Sequence, residues 1–331
     1  MERRISIYLG TFQRRYGVKQ ALEIAKNSVG VNAVDFTLSH YTRLSSPNSN
    51  STRNYLYAQG ESAVIEYFSE IKEYADSLGI TVAQTHGRGT GLYGDAENDE
   101  ACLQDARLDC IATRILGAKH CVMHGPPSYL LTASAPEKVR ELHFKMFSSI
   151  IPHARENKIK IAYETGGNSG AGYKTFGLLA HADEFIKAYE RLAAIEDYRN
   201  WFCCCVDTGH SNMAAKHEGE PTVADLTRRL GSAVEVLHIN DNEGLTDMHA
   251  IPLIDADPLT GSVDWWDFMK ALDEISYQGY YNLELGFNNY GKNFAIEEAI
   301  FAVKVMKNIL FKHYKKAPDG FGDDSDYLIK K

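Results

Sequence analysis

From one end of the chain to the other, short apolar runs rich in β-branched and aromatic residues alternate with amphipathic helical stretches. No other feature restricts the fold as much. The runs are Ile5–Phe12, Ala33–Leu38, Thr81–His86, His120–His124, Lys160–Glu164, Phe202–Asp207, Val234–Asn240 and Tyr280–Leu285. Between them, stretches such as Ser62–Leu78, Glu137–Glu156, Asp183–Ala194, Trp265–Ile275 and Ala295–His313 repeat apolar residues three or four apart, the period of a helix face. Strands separated by helices pair in parallel, because a parallel pair needs a long crossover. Eight such units predict an α/β fold, a single closed (β/α)8 TIM barrel, with active-site groups at the carboxyl ends of the strands. An open doubly wound sheet is the competing arrangement. Its nucleotide-binding form is disfavoured, since no Gly-x-Gly-x-x-Gly follows the first run.

The barrel is expected over residues 1–316, and residues 317–331 are expected to form a tail that leaves the body or covers a neighbour. Three long connections, Ser39–Gly60, Thr165–Gly177 and Asp241–Val263, each follow a strand end, so they would roof the catalytic face. With 331 residues and 44% of them hydrophobic, the chain has enough apolar side chain for one barrel core. The formal net charge of −9 repels phosphate, which disfavours nucleic acid and anionic membranes as general partners. Met1-Glu2-Arg3-Arg4 leads straight into a short apolar run and no run approaches a membrane span, so a cytoplasmic protein with no membrane contact is expected. Cys102, Cys110, Cys121 and the run Cys203-Cys204-Cys205 read as small core residues in a reducing compartment. Neighbours in a strand point to opposite faces, so the run of three is no compact metal knuckle.

Chemistry-bearing residues gather where the runs end. The third ends in His86, the fourth in His124, the fifth in Glu164 and the sixth in Asp207, with His210 three residues on. The seventh gives His238, followed by Asp247 and His249, and the eighth gives Glu284. An isolated strand-end histidine or glutamate is ordinarily a cap or a solvated group. Six consecutive strands ending this way are different, because burying so many polar groups without a shared partner costs several kcal/mol apiece. A divalent metal is the simplest common partner. Glu164, Asp207, His238 and Glu284 form an oxygen-rich set with one imidazole, which suits Mn2+ first and Mg2+, Co2+, Fe2+ or Zn2+ as alternatives.

This pattern resembles the xylose isomerase-like superfamily, which joins sugar isomerases and epimerases with endonuclease IV. The resemblance covers roughly residues 4–308, and the stretch from His238 through Asp247-x-His249 to Ser262-Val263-Asp264-Trp265 looks like that of sugar phosphate isomerase/epimerase-type proteins. It implies that Glu164, Asp207, His238 and Glu284 are metal ligands and that His210 contacts a substrate oxygen. The implied activity is isomerisation or epimerisation of a sugar or keto sugar. The carbon beside the carbonyl would lose a proton to one of Glu164 and Glu284 through a metal-stabilised enediolate. His86, His124, His210, Asp247, His249 and Lys174 are the expected substrate contacts, with Arg88 and Tyr173 as further candidates.

Two departures bear on the substrate. Ketose 3-epimerases look to carry Arg six residues after the metal histidine and Glu six residues after the first glutamate, where this chain has Gly244 and Gly170. Simple ketohexose epimerisation is therefore in doubt. A lyase on 3-keto sugars, similar to C-glycoside-cleaving subunits, would share the first proton abstraction. An endonuclease IV-like zinc phosphodiesterase is the other enzymatic alternative, because His86, His124, Glu164, Asp207, His210, His238, Asp247, His249 and Glu284 are of the right type for its nine ligands. Its need for phosphate-neutralising Lys and Arg conflicts with the net charge of −9. A non-catalytic binding protein would need no intact metal set. The 19 tyrosines, several within residues 55–67 and 277–290, leave room for a homo-oligomer or accessory-subunit surface.

Overall fold

A computed structural model describes residues 4–42, 56–87, 91–126, 135–166, 177–253, 261–287 and 289–315. Its strands are β1 (Arg4–Tyr8), β2 (Ala33–Thr37), β3 (Thr81–His86), β4 (His120–Met123), β5 (Lys160–Glu164), β6 (Phe202–Asp207), β7 (Val234–His238) and β8 (Tyr280–Leu283). They form one eight-stranded sheet in the order β7-β6-β5-β4-β3-β2-β1-β8, every pair parallel. One residue beyond β7 closes the ring. Ile239 bridges Leu283 in parallel, its N–H donating to Asn282 O at 2.7 Å while Glu284 N–H donates to Ile239 O at 3.0 Å. The chain is thus the (β/α)8 barrel expected from its alternating runs.

The helices are α1 (Gly10–Tyr16), α2 (Val18–Glu23, continuing as a π-helical turn over Ile24–Val29), α3 (Glu61–Ser77), α4 (Ala96–Leu116), α5 (Pro136–Glu156), α6 (Ala182–Ala193), α7 (Thr208–Glu218), α8 (Val223–Leu230), α9 (Trp265–Glu274) and α10 (Ala295–Tyr314). The first strand is shorter than the apolar run predicts. It stops at Tyr8, and the residues up to Phe12 enter α1. Phe12 is apolar because it packs on Phe287 (ring centroids 5.2 Å apart), and a buried residue in so short a helix reads like more strand. Gln13 ties the same helix to β2, accepting from Thr37 N–H at 3.1 Å and donating to Thr37 O at 3.2 Å. In α4 the helical period is obscured by buried Asp99, Asp105 and Asp109. Asp109 accepts from the Tyr57 hydroxyl at 2.6 Å, and Asp99 from the Tyr93 and Gly94 N–H groups.

The main core lies between the ring of helices and the outer face of the strands. Inside the ring, side chains two apart along each strand make a second, smaller core with two unlike halves. On the side of β4–β7 it is apolar, built of Val122, Ala162, Cys203, Cys205 and Val236. On the side of β8, β1, β2 and β3 it is polar, built of Asn282, Ser6, Asp35 and Gln84, all buried. All six cysteines are free and buried, matching their reading as core residues. Among the described residues no helix is long and apolar enough to cross a membrane.

Candidate functional site

Glu164, Asp207 and His238 end β5, β6 and β7, and Glu284 follows the last residue of β8. Asp207 ends β6 and also caps α7, its Oδ1 accepting from His210 N–H at 2.7 Å. One carboxylate thereby satisfies an orphan helix N–H while its other oxygen faces the barrel axis. That oxygen, Oδ2, accepts from Asn240 Nδ2 at 2.8 Å. The Asn240 side chain fits only because position 209 is glycine, where a Cβ would lie 1.9 Å from Asn240 Oδ1. Below the next loop, Asp241 gathers Ser262 Oγ, Trp265 Nε1 and the N–H groups of Asn242, Leu253 and Val263, fixing the path of the chain after β7.

Glu164, Asp207, His238 and Glu284 are all buried, and each offers a ligand atom within 4.8 Å of the others'. His238 Nδ1 lies 3.0 Å from Glu164 Oε1 and 3.1 Å from Glu284 Oε2. The chemistry of this donor set fits a divalent cation. Glu164 Oε2 and Glu284 Oε2 are buried without a hydrogen bond of good geometry, their nearest partners being His124 Nε2 at 2.9 Å and His238 Nδ1 at 3.1 Å, and carboxylates gathered this closely away from water are costly unless a cation completes them.

The remaining predicted groups ring this set. His124 Nε2 is 2.9 Å from Glu164 Oε2 and 3.4 Å from His86 Nε2, which lies 3.4 Å from Glu284 Oε1. On the other flank, Asp247 Oδ1 sits 3.5 Å from His210 Nε2 and 3.1 Å from His249 Nε2. His86, His210 and His249 donate Nδ1–H to the carbonyls of Gly87, Thr165 and Glu284, at 3.0, 3.0 and 2.9 Å, so each presents Nε2 to the cavity. His249 does so from a left-handed backbone conformation, φ 47°, a sparsely populated region that tends to persist where the surroundings impose it. Lys174, Arg88 and Tyr173 lie outside the described residues.

The interleaved charges set unusual acidities. Burial opposes a charge on His86, but Glu284 and Glu164 outweigh it and raise its pKa to about 9. The same contest, won by Asp247, Glu284 and Asp207, raises His249 to about 10. For His238, burial is outweighed by Cys205, Glu284, Glu164 and the hydrogen bond with Asp35, and its pKa stands well above the ordinary value. Burial would raise Glu164 and Glu284, yet the histidines hold both well below the usual carboxylate range. Asp207 is the exception: burial, with Glu284 and Glu164 nearby, pushes it up to about 7 against the pull of His210.

Reading strand ends missed Asp35, Asn240 and the structural role of Asp241. Asp35 lies in the middle of β2, and its signal was a lone carboxylate inside an apolar run. A separate grouping, His120, Cys203 and Glu235, lies at the amino-terminal end of the barrel, where Lys160 already pairs with Glu235.

The sequence pattern of the family described as xylose isomerase-like TIM barrel matches residues 14–305. The uncharacterized protein y4fM of Sinorhizobium fredii (strain NBRC 101917 / NGR234) is 28% identical over 187 residues, 56% of this chain and 52% of that one. The match thus spans about half the length of that relative. Among solved structures, a D-tagatose 3-epimerase-like protein superposes with a TM-score of 0.66 at 16% identity, over 94% of this chain and 98% of that one. The 3-keto-D-glucoside 4-epimerase from E. coli gives 0.63 at 13%, over 92% and 100%. The IOLI protein with a binding zinc atom gives 0.67 at 15%, over 94% and 99%. At these identities the likeness is one of fold.

Proposed function

The chain belongs to the xylose isomerase-like TIM-barrel family, and we propose that it is a divalent-metal-dependent isomerase or epimerase of a sugar or keto sugar. The observation that carries this reading is the meeting of Glu164 and Glu284, from separate strands, beside His238 and Asp207 in one buried cluster. Those four residues would hold the ion, Mn2+ being the best match to so oxygen-rich a set. When bound, such an ion supplies a Lewis acid for a carbonyl oxygen and its neighbouring hydroxyl.

The chain's own groups supply the proton transfers. One of Glu164 and Glu284 takes the proton from the carbon beside the carbonyl, leaving an enediolate. Return of a proton by the other glutamate to the opposite face gives the epimer, and return to the adjacent carbon, with the hydroxyl proton passing from one oxygen to its neighbour, gives the isomer. Each glutamate of this pair has one buried oxygen without a hydrogen bond, Glu164 Oε2 and Glu284 Oε2. His210 and His249, pinned through Nδ1, hold substrate oxygens through Nε2; on the other flank His86 is pinned in the same way, and His124, its Nε2 3.4 Å from that of His86, adds a further contact.

A second reading has its own support. His86 with Glu164 and His238, and His210 with Asp247 and His249, also bring ligand atoms within 4.8 Å of one another on either side of the central set. Three such groupings in a row are what a multi-zinc phosphodiesterase needs. One experiment separates the two. The Mn2+-loaded protein is incubated with a panel of keto sugars in D2O and, in parallel, the zinc-loaded protein with abasic-site DNA. Metal-dependent deuterium uptake at the carbon beside a sugar carbonyl is expected. Incision of the DNA without exchange on any sugar would replace the first reading with the second.

A further inference from the structure

We infer that Asp35 is a positioning residue for the metal-binding histidine: it accepts the Nε2–H of His238 and so commits Nδ1 to the cluster of Glu164, Asp207 and Glu284. The inference rests on the metal-centre reading above and extends it to a strand, β2, that contributes no ligand. His238 Nε2 lies 3.1 Å from Asp35 Oδ2, and both side chains are fully buried. The same oxygen accepts from Gln84 Nε2 at 3.0 Å and from Asn282 Nδ2 at 2.9 Å. Asn282 is held in turn by Ser6 Oγ, which donates to its Oδ1 at 2.8 Å. Donors from β3, β7 and β8 thus converge on one carboxylate oxygen in the polar half of the inner core.

This arrangement inverts the rule followed elsewhere in the cavity. His86, His210 and His249 anchor Nδ1–H on backbone carbonyls and present Nε2. His238 anchors Nε2 on a carboxylate and presents Nδ1, which stands 3.0 Å from Glu164 Oε1. A carbonyl anchor fixes the tautomer and the ring's orientation. A carboxylate anchor also strengthens the ring as an electron-pair donor, and loss of such a partner typically costs 10–100-fold in metal affinity. Burying a carboxylate at this depth is explained by that service, since the hydrogen bonds from Gln84 and Asn282 alone could be met by a neutral amide.

The test titrates the metal-free protein with Co2+ alone, following its visible absorption, for the wild type, Asp35→Asn and Gln84→Met. Asp35→Asn keeps the shape and removes the charge. Its Co2+ affinity should fall by about 10–100-fold at unchanged stoichiometry, while Gln84→Met, which strips another donor from the same oxygen, stays within about threefold. Asp35→Asn binding as tightly as the wild type, or Gln84→Met weakening it equally, would overturn the inference. Wild-type protein that takes up no Co2+ would instead remove the metal centre and the inference with it. Should Asp35→Asn fail to fold, the zinc-loaded wild type labelled with 15N-histidine decides the matter. The proton of His238 belongs on Nε2, and finding it on Nδ1 would refute the assignment.

Discussion

Replacing Gly209 with alanine tests how tightly the site is built around Asp207. A Cβ at this position would stand 1.9 Å from Asn240 Oδ1 and 2.9 Å from Asn242 Nδ2. Asn240 has little room to retreat, because its Nδ2 donates to Asp207 Oδ2 at 2.8 Å and its backbone N–H to Thr208 Oγ1 at 3.0 Å. Relieving the clash either breaks the hydrogen bond to the carboxylate, about 1.5–3 kcal/mol, or strains the packing around it, about 1–3 kcal/mol. Where both occur, the cost is about 2.5–6 kcal/mol. Without the clash, glycine to alanine at a compatible backbone position would instead stabilise the fold by about 0.4–1 kcal/mol, so even the sign is diagnostic. Urea unfolding of the wild type, Gly209→Ala, Asn240→Ala and the double variant measures the coupling. Alanine at 209 should cost at least about 2 kcal/mol in the parent and less than about 1 kcal/mol once Asn240 is truncated. A single variant as stable as the wild type would show that the close approach does not constrain the site.

Three further outcomes follow from the same geometry. With its pKa raised well above the ordinary value, His238 is protonated in the metal-free protein near neutral pH and must lose that proton when Nδ1 binds a metal. Metal affinity should therefore rise with pH below that raised pKa, by about tenfold per pH unit for each proton released; calorimetry in buffers of different ionisation enthalpy reads the release, and pH-independent binding would contradict it. Glu164→Gln and Glu284→Gln should each lower the exchange rate by about 10²–10⁴-fold in protein whose metal content has been verified, and full activity in either removes that glutamate as a base. Asp241→Ala strands the Trp265 indole N–H and the Ser262 hydroxyl in a buried setting and should cost about 3 kcal/mol or more in urea unfolding. A loss below about 1 kcal/mol would mean that the chain after β7 holds its path without Asp241.

The barrel was legible because burial on both faces writes each parallel strand as a continuous apolar run, and because the helices between keep a clear period. The strand-end residues were legible for the same reason: Glu164, Asp207 and His238 each interrupt apolar sequence where a run stops. What stayed hidden depends on contacts between distant segments. Asp35 owes its place to His238, 203 residues away, and Asn282 to Asp35, 247 residues away. Neither sits at a strand end, and a lone polar residue inside an apolar run, such as Asp35 in β2, does not by itself reveal which distant group it serves. Helix α4 was obscured by Asp99 and Asp109, buried acids that interrupt its apolar face and whose partners lie in other segments. The end of β1 was misplaced because Phe12 serves the core equally well from a strand or from a helical turn.

Whether Glu164, Asp207, His238 and Glu284 share one divalent ion can be read from anomalous diffraction of crystals grown with Mn2+. A single strong peak within about 2.0–2.6 Å of a carboxylate oxygen from each of Glu164, Asp207 and Glu284 and of His238 Nδ1 is expected. A peak bound only by the flanking histidines, or no peak at all with the four side chains unmoved, would contradict it.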